Sequence, residues 1–425
     1  MEAPLKVISK EIIKPSSETP HHLRKLKLSY LDQLAPPVYV PLIFFYQVDE
    51  SRALTTSNHL QLSQRLKQSL SNTLTSFYPL AGRIQDSSVI DCNDAGAEFI
   101  EARVQAQLKD ALQEPIIQQL KYLPADAAAG SLPGAALIVV KITFFDCGGM
   151  AVGVCVSHKL ADCVCIMAFM NAWAASCRGE AESRLMSFDL VTYFPSRDFP
   201  GSDSNLPFPT SKEELVTKRF VFDKEKLAAL KDAATTPSVK DPTKVEVVSA
   251  FIWKHFIDVA KSESLEGKRT FLASHPVNLR PRTSPHLVLE NVFGNCIMPS
   301  MAISNLQDVG NFDELVSRLR NGFRKIDQDY IGEAQNGDSY VNDIMNLNCL
   351  LVEGGLEIYS CSSWCGFAVY EVDYGWGKPA SFCTSSLPLR NSSILVKSRS
   401  GDGVEAFVTF PADKAEILES QIKLL

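Results

Sequence analysis

A histidine and an aspartate four residues apart are the side chains in this sequence best suited to proton transfer. They are His158 and Asp162, in the segment Gly153–Asp162. A neutral imidazole titrates near neutral pH and can take a proton from an alcohol or an amine. An aspartate at the beginning of a helix accepts backbone N–H groups and meets the positive end of the helix dipole. The pair predicts a general base and a cap, although a lone histidine at a strand end is more often structural.

The residues around this pair predict a β-hairpin followed by a helix. Two apolar stretches with turn-forming residues between them make up the hairpin: Ala136–Phe145, Asp146–Gly149 and Met150–Val156. After Asp162, apolar residues recur at helical spacing as far as Arg178, and Gly179 ends the pattern. His158 is expected in the connection between strand and helix, where a rigid scaffold can hold a side chain toward a cleft.

A second unusual cluster lies at Glu371–Pro379. Gly375 and Gly377 flank Trp376, which predicts a tight backbone path with a large ring held in a pocket. Asp373 is a candidate second acid or base, since a carboxylate can also transfer protons. The alternative, which we favour, is a structural latch between layers of the fold.

The chain has the length and composition of a globular protein with two domains. It has 425 residues, of which 45% are apolar and 21% charged. Strands and helices mix without regular βαβ alternation, which favours an α+β fold. Residues 193–210 are rich in proline and serine and predict a linker between an N-terminal domain, 1–192, and a C-terminal domain, 211–425.

Two further local structures follow from sequence pattern. Leu60–Phe77 has leucines at helical spacing, which predicts an amphipathic helix. Ile90–Phe99 contains Asn93, Asp94 and Gly96 between apolar residues, which predicts a second β-hairpin.

Charge, cysteine spacing and missing motifs argue against several classes of function. The net charge of −7 gives no reason to expect nucleic acid or an anionic membrane as a partner. The 11 cysteines lack zinc-site spacing, which predicts buried thiols, no metal and a reducing compartment. The sequence contains no P-loop, no G-x-S-x-G elbow and no H-E-x-x-H. The N-terminus lacks the basic and apolar regions of a signal peptide, so a cytoplasmic location is expected.

Together, the two clusters resemble the signatures of the plant BAHD acyl-CoA-dependent acyltransferases. That family carries H-x-x-x-D, matched by His158–Asp162, and D-F-G-W-G, matched by Asp373–Gly377 as Asp-Tyr-Gly-Trp-Gly. Similar segments run along the whole chain: Leu31–Gln33, Phe77–Arg83, Asp91–Asn93, Phe145–Gly149, Asn278–Arg280, Gly294–Asn295 and Ser363–Trp364. Within the family the chain is most similar to the vinorine synthase-like group, which acetylates alkaloid and related natural-product alcohols.

The resemblance implies a chloramphenicol acetyltransferase-like fold and a direct transfer reaction. Two similar-sized domains with mixed sheets and flanking helices are expected, with a channel between them. Acetyl-CoA is expected as co-substrate, with no cofactor held permanently, and the protein is expected to be a monomer. His158 would deprotonate the acceptor hydroxyl, which then attacks the thioester carbonyl. Collapse of the tetrahedral oxyanion expels CoA, so no acyl-enzyme is needed.

The resemblance also implies supporting roles for other residues. Asp162 is expected to turn away from the channel and to pair with Arg280, so that it positions the site without transferring protons. Asp373 is expected to be a structural element behind the site. The remaining motif residues are expected to support it: Tyr374, Gly375, Trp376 and Gly377. Tyr374 replaces the usual Phe and adds a hydroxyl that needs a partner if it is buried.

Two positions bear on the substrates. Gly366 stands where hydroxycinnamoyl-shikimate members carry an arginine that grips the acceptor carboxylate, so a bulky, mostly apolar alcohol is expected. Between Lys212 and Lys254 there are nine Lys or Arg against seven Asp or Glu, a local balance of +2. Lys244 is the candidate contact for a CoA phosphate. The alternative for this stretch is a solvated helix face.

The leading hypothesis is acetyl transfer from acetyl-CoA to a hydroxyl of a plant specialised metabolite, an alkaloid or a terpenoid. Another acyl-CoA donor or an amine acceptor is the nearest alternative. A non-catalytic member that binds small molecules is the third, and the intact His158 and Asp162 argue against it.

Overall fold

The structure of the protein is a computed structural model that describes most of the chain. The described residues are 4–47, 56–113, 116–126, 129–130, 134–181, 185–199, 213–262, 270–283, 288–305, 311–336, 340–342, 344, 356–385 and 389–423. The chain divides into two compact units. The first comprises Met1–Phe208, Leu289–Cys296 and Ala368–Leu387, and the second comprises Pro209–Val288, Ile297–Phe367 and Pro388–Leu425.

Strands and α-helices alternate irregularly along the chain. The strands of the described residues are β1 (Leu5–Ile13), β2 (Lys25–Lys27), β3 (Tyr39–Tyr46), β4 (Arg83–Ile84), β5 (Val89–Asp91), β6 (Ala97–Val104), β7 (Ile138–Phe145), β8 (Met150–Ser157), β9 (Leu215–Phe222), β10 (Thr270–Asn278), β11 (Ile297–Asn305), β12 (Leu356–Ser363), β13 (Ser381–Cys383), β14 (Ser392–Lys397) and β15 (Val404–Pro411). The helices of the same residues are α1 (Tyr30–Leu34), α2 (Thr56–Ser76), α3 (Leu108–Ala111), α4 (Ile116–Gln119), α5 (Cys163–Arg178), α6 (Leu190–Tyr193), α7 (Lys224–Ala234), α8 (Lys244–Ser262), α9 (Phe312–Lys325), α10 (Gln328–Asn336) and α11 (Ala415–Lys423).

The first unit is built on a mixed sheet with the strand order β1-β6-β7-β8-β3-β13. β6 and β7 are parallel, and the other neighbours are antiparallel. β3, β7 and β8 are buried along their whole length. Strands covered on both faces read as continuous apolar runs, which is why the sequence around His158 showed one. The hairpin predicted there is confirmed as β7 and β8.

The helix predicted after Asp162 is confirmed as α5, with Asp162 as its N-cap and Gly179 as a left-handed C-cap. α5 packs on α2, the amphipathic helix predicted from its leucine spacing. The indole of Trp173 donates to the carbonyl of Leu66 (3.2 Å) and to Ser69 Oγ (3.1 Å). A buried indole N–H needs such a partner, so this bond fixes how α5 sits on α2.

The second predicted hairpin, at Ile90–Phe99, is wrong. β5 pairs with β2 and β4 in a small three-stranded sheet, whereas β6 pairs with β1 and β7 in the large one. The connection between them turns at Asp94 (φ 54°) and Gly96 (φ 91°). Thr19 donates to the Asp94 carboxylate from its backbone N (2.9 Å) and from its Oγ1 (2.6 Å). The turn residues are present, but their tertiary partners send the two strands to different sheets.

The second unit has its own mixed sheet, in the order β11-β10-β12-β14-β15-β9. The pairs β10–β12 and β12–β14 are parallel, and the other three pairs of neighbours are antiparallel. Its core joins the helices to the sheet through buried apolar side chains, among them Leu227, Leu230, Trp253, Ile257, Leu319 and Leu418. The Arg320 guanidinium donates to both carboxylate oxygens of Glu246, from Nε to Oε1 (2.9 Å) and from Nη2 to Oε2 (2.8 Å). These two bonds hold the first turn of α8.

The predicted fold class, α+β with mixed sheets and flanking helices, is confirmed. The compact units differ from the predicted domains at two places. Leu289–Cys296 belongs to the first unit, where the backbone N–H of Asn295 donates to Asp32 Oδ1 (2.7 Å). Residues 211–425 were expected to form one domain that included Asp373–Gly377, but the structure groups Ala368–Leu387 with the first unit. The physical reason is β13, which pairs with β3 and extends the first sheet. Of the predicted linker, residues 200–210 lie outside the described residues. No helix within the described ranges is long and apolar enough to cross a membrane.

Candidate active site

His158 follows β8 directly, where the chain leaves the first sheet and turns toward α5. Its backbone N–H donates to the carbonyl of Val38, 2.8 Å away, so this point is held against the segment that leads into β3. The side chain is half-buried. The predicted position, in a strand-to-helix connection, is confirmed.

The imidazole of His158 is held in one tautomer by Asn295. The Asn295 amide nitrogen donates to Asp32 Oδ1 (2.9 Å) and to the carbonyl oxygen of His158 (2.8 Å). Because a carboxylate and a carbonyl accept hydrogen bonds, the amide nitrogen must face them and the amide oxygen must face the ring. Asn295 Oδ1 lies 3.0 Å from His158 Nδ1, which therefore carries the hydrogen. Nε2 is left with its lone pair, as a general base requires.

Asp162 uses both carboxylate oxygens to hold backbone. Oδ1 accepts from the N–H of Cys165 (3.0 Å) as the cap of α5, and Oδ2 accepts from the N–H of Cys296 (3.1 Å). The predicted cap is confirmed. The second bond, from Cys296, is not needed for the cap and connects it to another segment of the chain. Asp162 ties the start of α5 to the residue that follows Asn295, and so helps to place the His158 partner.

Burial and two neighbouring charges, those of Asp162 and Lys159, act on the pKa of the imidazole. Burial lowers the pKa of His158 below its ordinary value, and the charge of Asp162 and the hydrogen bond that Nδ1 donates to Asn295 Oδ1 oppose that shift. Burial lowers the pKa of Lys159 to about 8, against the charge of Asp32, while its ammonium donates to the carbonyl of Gln33 at 2.7 Å. His158 is therefore neutral at pH 7 and able to accept a proton.

The Asp-Tyr-Gly-Trp-Gly loop has a different construction. The Asp373 carboxylate accepts from the N–H of Gly375 (2.7 Å) and of Gly377 (2.9 Å), which closes the loop on itself. Gly375 has a φ of 104° and Gly377 a φ of 112°, a conformation that favours glycine. The Arg178 guanidinium donates to the carbonyl of Asp373. The contacts of Asp373 thus match the structural role that we favoured over acid or base chemistry.

The two large rings of the loop stack on each other inside the first unit. Tyr374 and Trp376 are parallel, with centroids 5.3 Å apart, and the edge of Tyr46 meets both. Arg65 donates to the carbonyls of Cys177 (2.6 Å) and Tyr374 (3.1 Å), and its guanidinium lies 5.8 Å from the Trp376 ring. These contacts lock the loop to α2 and to the end of α5.

Three residues singled out from the sequence lie in the second unit: Lys244, Arg280 and Gly366. Lys244 begins α8 and donates to the carbonyl of Asp402. Arg280 begins a short 3-10 turn and donates to Asn278 Oδ1 at 3.2 Å. The predicted ion pair between Arg280 and Asp162 would join residues of different units, and it stays a prediction. Within the described ranges, no group of three or more His, Cys, Asp and Glu side chains is arranged to hold a metal.

Two residues that contact or support the imidazole were not predicted: Asn295 and Asp32. Each belongs to a short segment that the resemblance picked out, Gly294–Asn295 and Leu31–Gln33. Those segments lie more than a hundred residues from His158 in sequence, so spacing along the chain could not have paired them with it. A search for a polar partner of His158 Nδ1 would have pointed to them, because a histidine base needs its other nitrogen fixed.

Comparison with known proteins places the chain in a family. A family model described as "Transferase family" matches residues 3–425. Vinorine synthase of Rauvolfia serpentina is 41% identical over 430 residues, which cover 99% of this chain and 98% of that protein. The chain belongs to the BAHD family. It is accordingly an acyl-CoA-dependent acyltransferase.

Further similarities agree with this assignment. Stemmadenine O-acetyltransferase of Catharanthus roseus is 39% identical over 99% of this chain and 97% of its own length. Limonoid 7-O-acetyltransferase of Citrus sinensis is 34% identical over 99% of this chain and 97% of its own length. The crystal structure of vinorine synthase superposes with a TM-score of 0.82 at 39% identity, over 97% of this chain and 96% of that one. The resemblance deduced from the two motifs is therefore confirmed over the whole chain.

Proposed function

We propose that the protein is an acetyl-CoA-dependent O-acetyltransferase that acts on a hydroxyl of a bulky plant specialised metabolite, an alkaloid or a terpenoid. Family membership supports acyl transfer, and the names of the similar O-acetyltransferases support an acetyl donor and acceptors of these two classes. The observation that carries the proposal is the Nδ1–H tautomer of His158, because it leaves Nε2 basic.

His158 acts first as base and then as acid. Nε2 takes the proton of the acceptor hydroxyl while the oxygen attacks the thioester carbonyl of acetyl-CoA. The tetrahedral oxyanion collapses, the C–S bond breaks, and the CoA thiolate takes the proton back from Nε2. During the step the ring is positively charged, and Asn295 Oδ1 stabilises it by accepting from Nδ1–H.

The acetyl group passes to the acceptor without a covalent enzyme intermediate. The two thiols closest in sequence to the base are Cys155 and Cys163. Burial raises the pKa of Cys155 to about 12 and that of Cys163 well above the ordinary value. A thiolate is the nucleophilic form of cysteine, so both are poor nucleophiles. Asp162 does not transfer protons either, because both of its oxygens accept backbone N–H groups.

The donor is held in part by cations of the second unit. Lys244 is the proposed contact for a CoA phosphate, and Lys397 is close enough to the Cys365 thiol to act on its pKa together with Lys244. Burial raises the pKa of that thiol to about 11, and both ammonium groups act against the shift. Two cations near the same group suit a phosphate better than one. Lys244→Ala is expected to raise the KM for acetyl-CoA several-fold and to leave kcat unchanged.

A thiol-release assay tests the proposal. Purified protein is mixed with acetyl-CoA and a panel of alkaloid and terpenoid alcohols, matched amines, and no acceptor. Release of CoA with an alcohol, together with an O-acetyl product by mass spectrometry, is the expected result. Release with amines alone would favour N-acylation, and release without acceptor would indicate a hydrolase. No release with acetyl-CoA, or with other acyl-CoA donors, would indicate a binding protein and overturn the proposal.

The protein acts on small molecules in this proposal, as a cytoplasmic monomer with no nucleic-acid or membrane partner. Light scattering after size exclusion should give the mass of one chain. Fractionation of plant cells that express a tagged chain should recover it with cytoplasmic markers.

A further inference from the structure

We propose that Asp32 is a positioning residue for the reaction, which holds Asn295 in the orientation that fixes the tautomer of His158. The inference rests on the proposed role of His158 as the base. Asp32 lies on α1, more than a hundred residues before the histidine in sequence, and it acts on the ring only through Asn295.

The Asp32 carboxylate has two sides with different partners. Oδ2 accepts from the backbone N (3.1 Å) and the Oγ (2.6 Å) of Ser29, which completes the capping box of α1. Oδ1 accepts from the backbone N (2.7 Å) and the side-chain nitrogen (2.9 Å) of Asn295. A helix cap needs only the first pair. The second pair holds both the backbone and the amide of the residue that contacts His158.

The surroundings leave Asn295 little freedom while Asp32 is present. Asn295 is fully buried and Asp32 is 3% exposed. A Cβ on Gly294 would come within 3.3 Å of Asp32 Oδ1, so the backbone before Asn295 lies close to the carboxylate. On the other side, Asp162 accepts from the N–H of Cys296. Two carboxylates thus hold consecutive backbone N–H groups, and residue 295 lies between the two points of attachment.

Loss of Asp32 removes two of the three donor contacts of Asn295. The amide would then be held by the His158 carbonyl alone, and two buried N–H groups would lack an acceptor. The side-chain N–H can find another acceptor only if the amide moves or rotates. If it rotates, its nitrogen faces Nδ1, and the ring must carry its hydrogen on Nε2. In that tautomer Nε2 cannot accept a proton from the acceptor alcohol.

Two substitutions separate the hydrogen bonds from the charge. Asp32→Ala removes both bonds to Asn295. Asp32→Asn can keep them, because the amide oxygen can take the Oδ1 position while the amide nitrogen faces Ser29 Oγ, which can accept. It loses only the bond from the backbone N–H of Ser29, because an amide nitrogen cannot accept. The matched control is the same pair of changes at Asp223, which caps α7 by accepting from the N–H of Lys226 at 2.9 Å. The control measures how the loss of an aspartate cap alone changes kcat and the His158 tautomer.

The tautomer is read by ¹⁵N NMR of histidine-labelled protein at pH 8, with the His158 signals assigned by their absence in His158→Ala. Wild type and Asp32→Asn are expected to show the Nδ1–H form and similar kcat. Asp32→Ala is expected to show a mixture with the Nε2–H form and to lose about 10- to 100-fold in kcat, with KM for acetyl-CoA unchanged. The Asp223 variants are expected to match wild type in tautomer and kcat.

Several results would overturn the inference. One is an Nε2–H tautomer in wild type, which is detected without any change at Asp32. Another is Asp32→Ala with wild-type kcat, or with reduced kcat and an intact Nδ1–H signal. A third is equal loss in Asp32→Asn and Asp32→Ala, which would make the charge decisive. If Asp32→Ala does not fold, Asp32→Ser, whose hydroxyl is too short to reach Asn295, takes its place. Failure of the proposed function is distinguishable, because either wild type would release no CoA with any acceptor or His158→Ala would keep its activity, whatever the tautomer.

Discussion

The His158 site and the Asp-Tyr-Gly-Trp-Gly loop both lie in the first unit, and both depend on aspartates that accept backbone N–H groups. At His158 the carboxylates of Asp32 and Asp162 hold a neighbouring segment, and one ring nitrogen remains basic. In the loop, Asp373 binds the N–H groups of its own turn, and the rings stack on each other. Polar contacts leave a ring nitrogen free to accept a proton in the first region, and they set the shape of the backbone in the second.

The difference shows why two motifs that mark one family need not both act on the substrate. A reactive group must keep an atom available, and the support around it must come from elsewhere in the chain. A latch satisfies its own backbone, so its glycines and aspartate form a local unit. Changes at the first region should therefore act on kcat, and changes in the loop should act on the free energy of unfolding.

The largest effect is expected from His158→Ala. Loss of the general base should lower kcat by about 10²- to 10⁴-fold, whereas the thermal midpoint should stay close to that of wild type because the ring is half-buried. Thiol release and calorimetry measure the two quantities. The control is Asp373→Asn, which should keep kcat per folded molecule. A variant without His158 that retains most of its activity would remove the distinction between the regions.

Asp162→Ala is expected to lower both kcat and the free energy of unfolding. It removes the cap of α5 and the acceptor for Cys296 N–H, so Asn295 loses support on one side. We expect a drop in kcat of roughly 10-fold or more and a loss of about 1–2 kcal/mol from the cap. Asp162→Asn keeps one acceptor oxygen and should lose less. Full activity in both variants would contradict the positioning role.

The pH profile sharpens the assignment of the base. Because burial lowers the pKa of His158 below 6.5, kcat/KM should rise with pH, reach half its plateau below 6.5, and stay level above. The unfolded chain binds this proton more readily, so the free energy of unfolding should fall as the pH falls below 6.5. An acid limb centred above 6.5 would point to another group.

Gly377→Ala tests whether the stability of the loop depends on the positive φ of its glycines. The φ of 112° is unfavourable for a residue with a side chain, although nothing lies within 4 Å of the added Cβ. We expect a loss of about 1–3 kcal/mol in the free energy of unfolding, with kcat unchanged. The control, Gly332→Ala, is equally uncrowded but lies in α10. There alanine should stabilise by up to about 1 kcal/mol.

The smallest effect is expected from Tyr374→Phe, which restores the residue usual in the family. The ring is fully buried, and its hydroxyl has no hydrogen-bond partner among the described residues. An unpaired buried hydroxyl is unfavourable, so its removal should raise the free energy of unfolding by up to about 1 kcal/mol without a change in kcat. Chemical denaturation measures it. Destabilisation by more than that would mean that the hydroxyl is bound in solution.

Much of the local structure followed from the sequence alone, which also singled out His158 as the proposed base. The hairpin before His158, the helix after Asp162 and its two caps depend on residues a few positions apart. Periodicity and cap chemistry are visible at that range. The second hairpin failed for the complementary reason, since Asp94 is held by Thr19, a partner distant in sequence.

Only the tertiary structure decided which atom of His158 is basic. That depends on Asn295. Asp32 orients its side-chain amide, and Asp162 accepts from the N–H of the next residue, Cys296. It also decided that the Asp373 loop joins the first sheet through β13. Types and spacings of residues determine what a side chain can do. The direction of its hydrogen bonds is set by groups that folding brings together from distant parts of the chain.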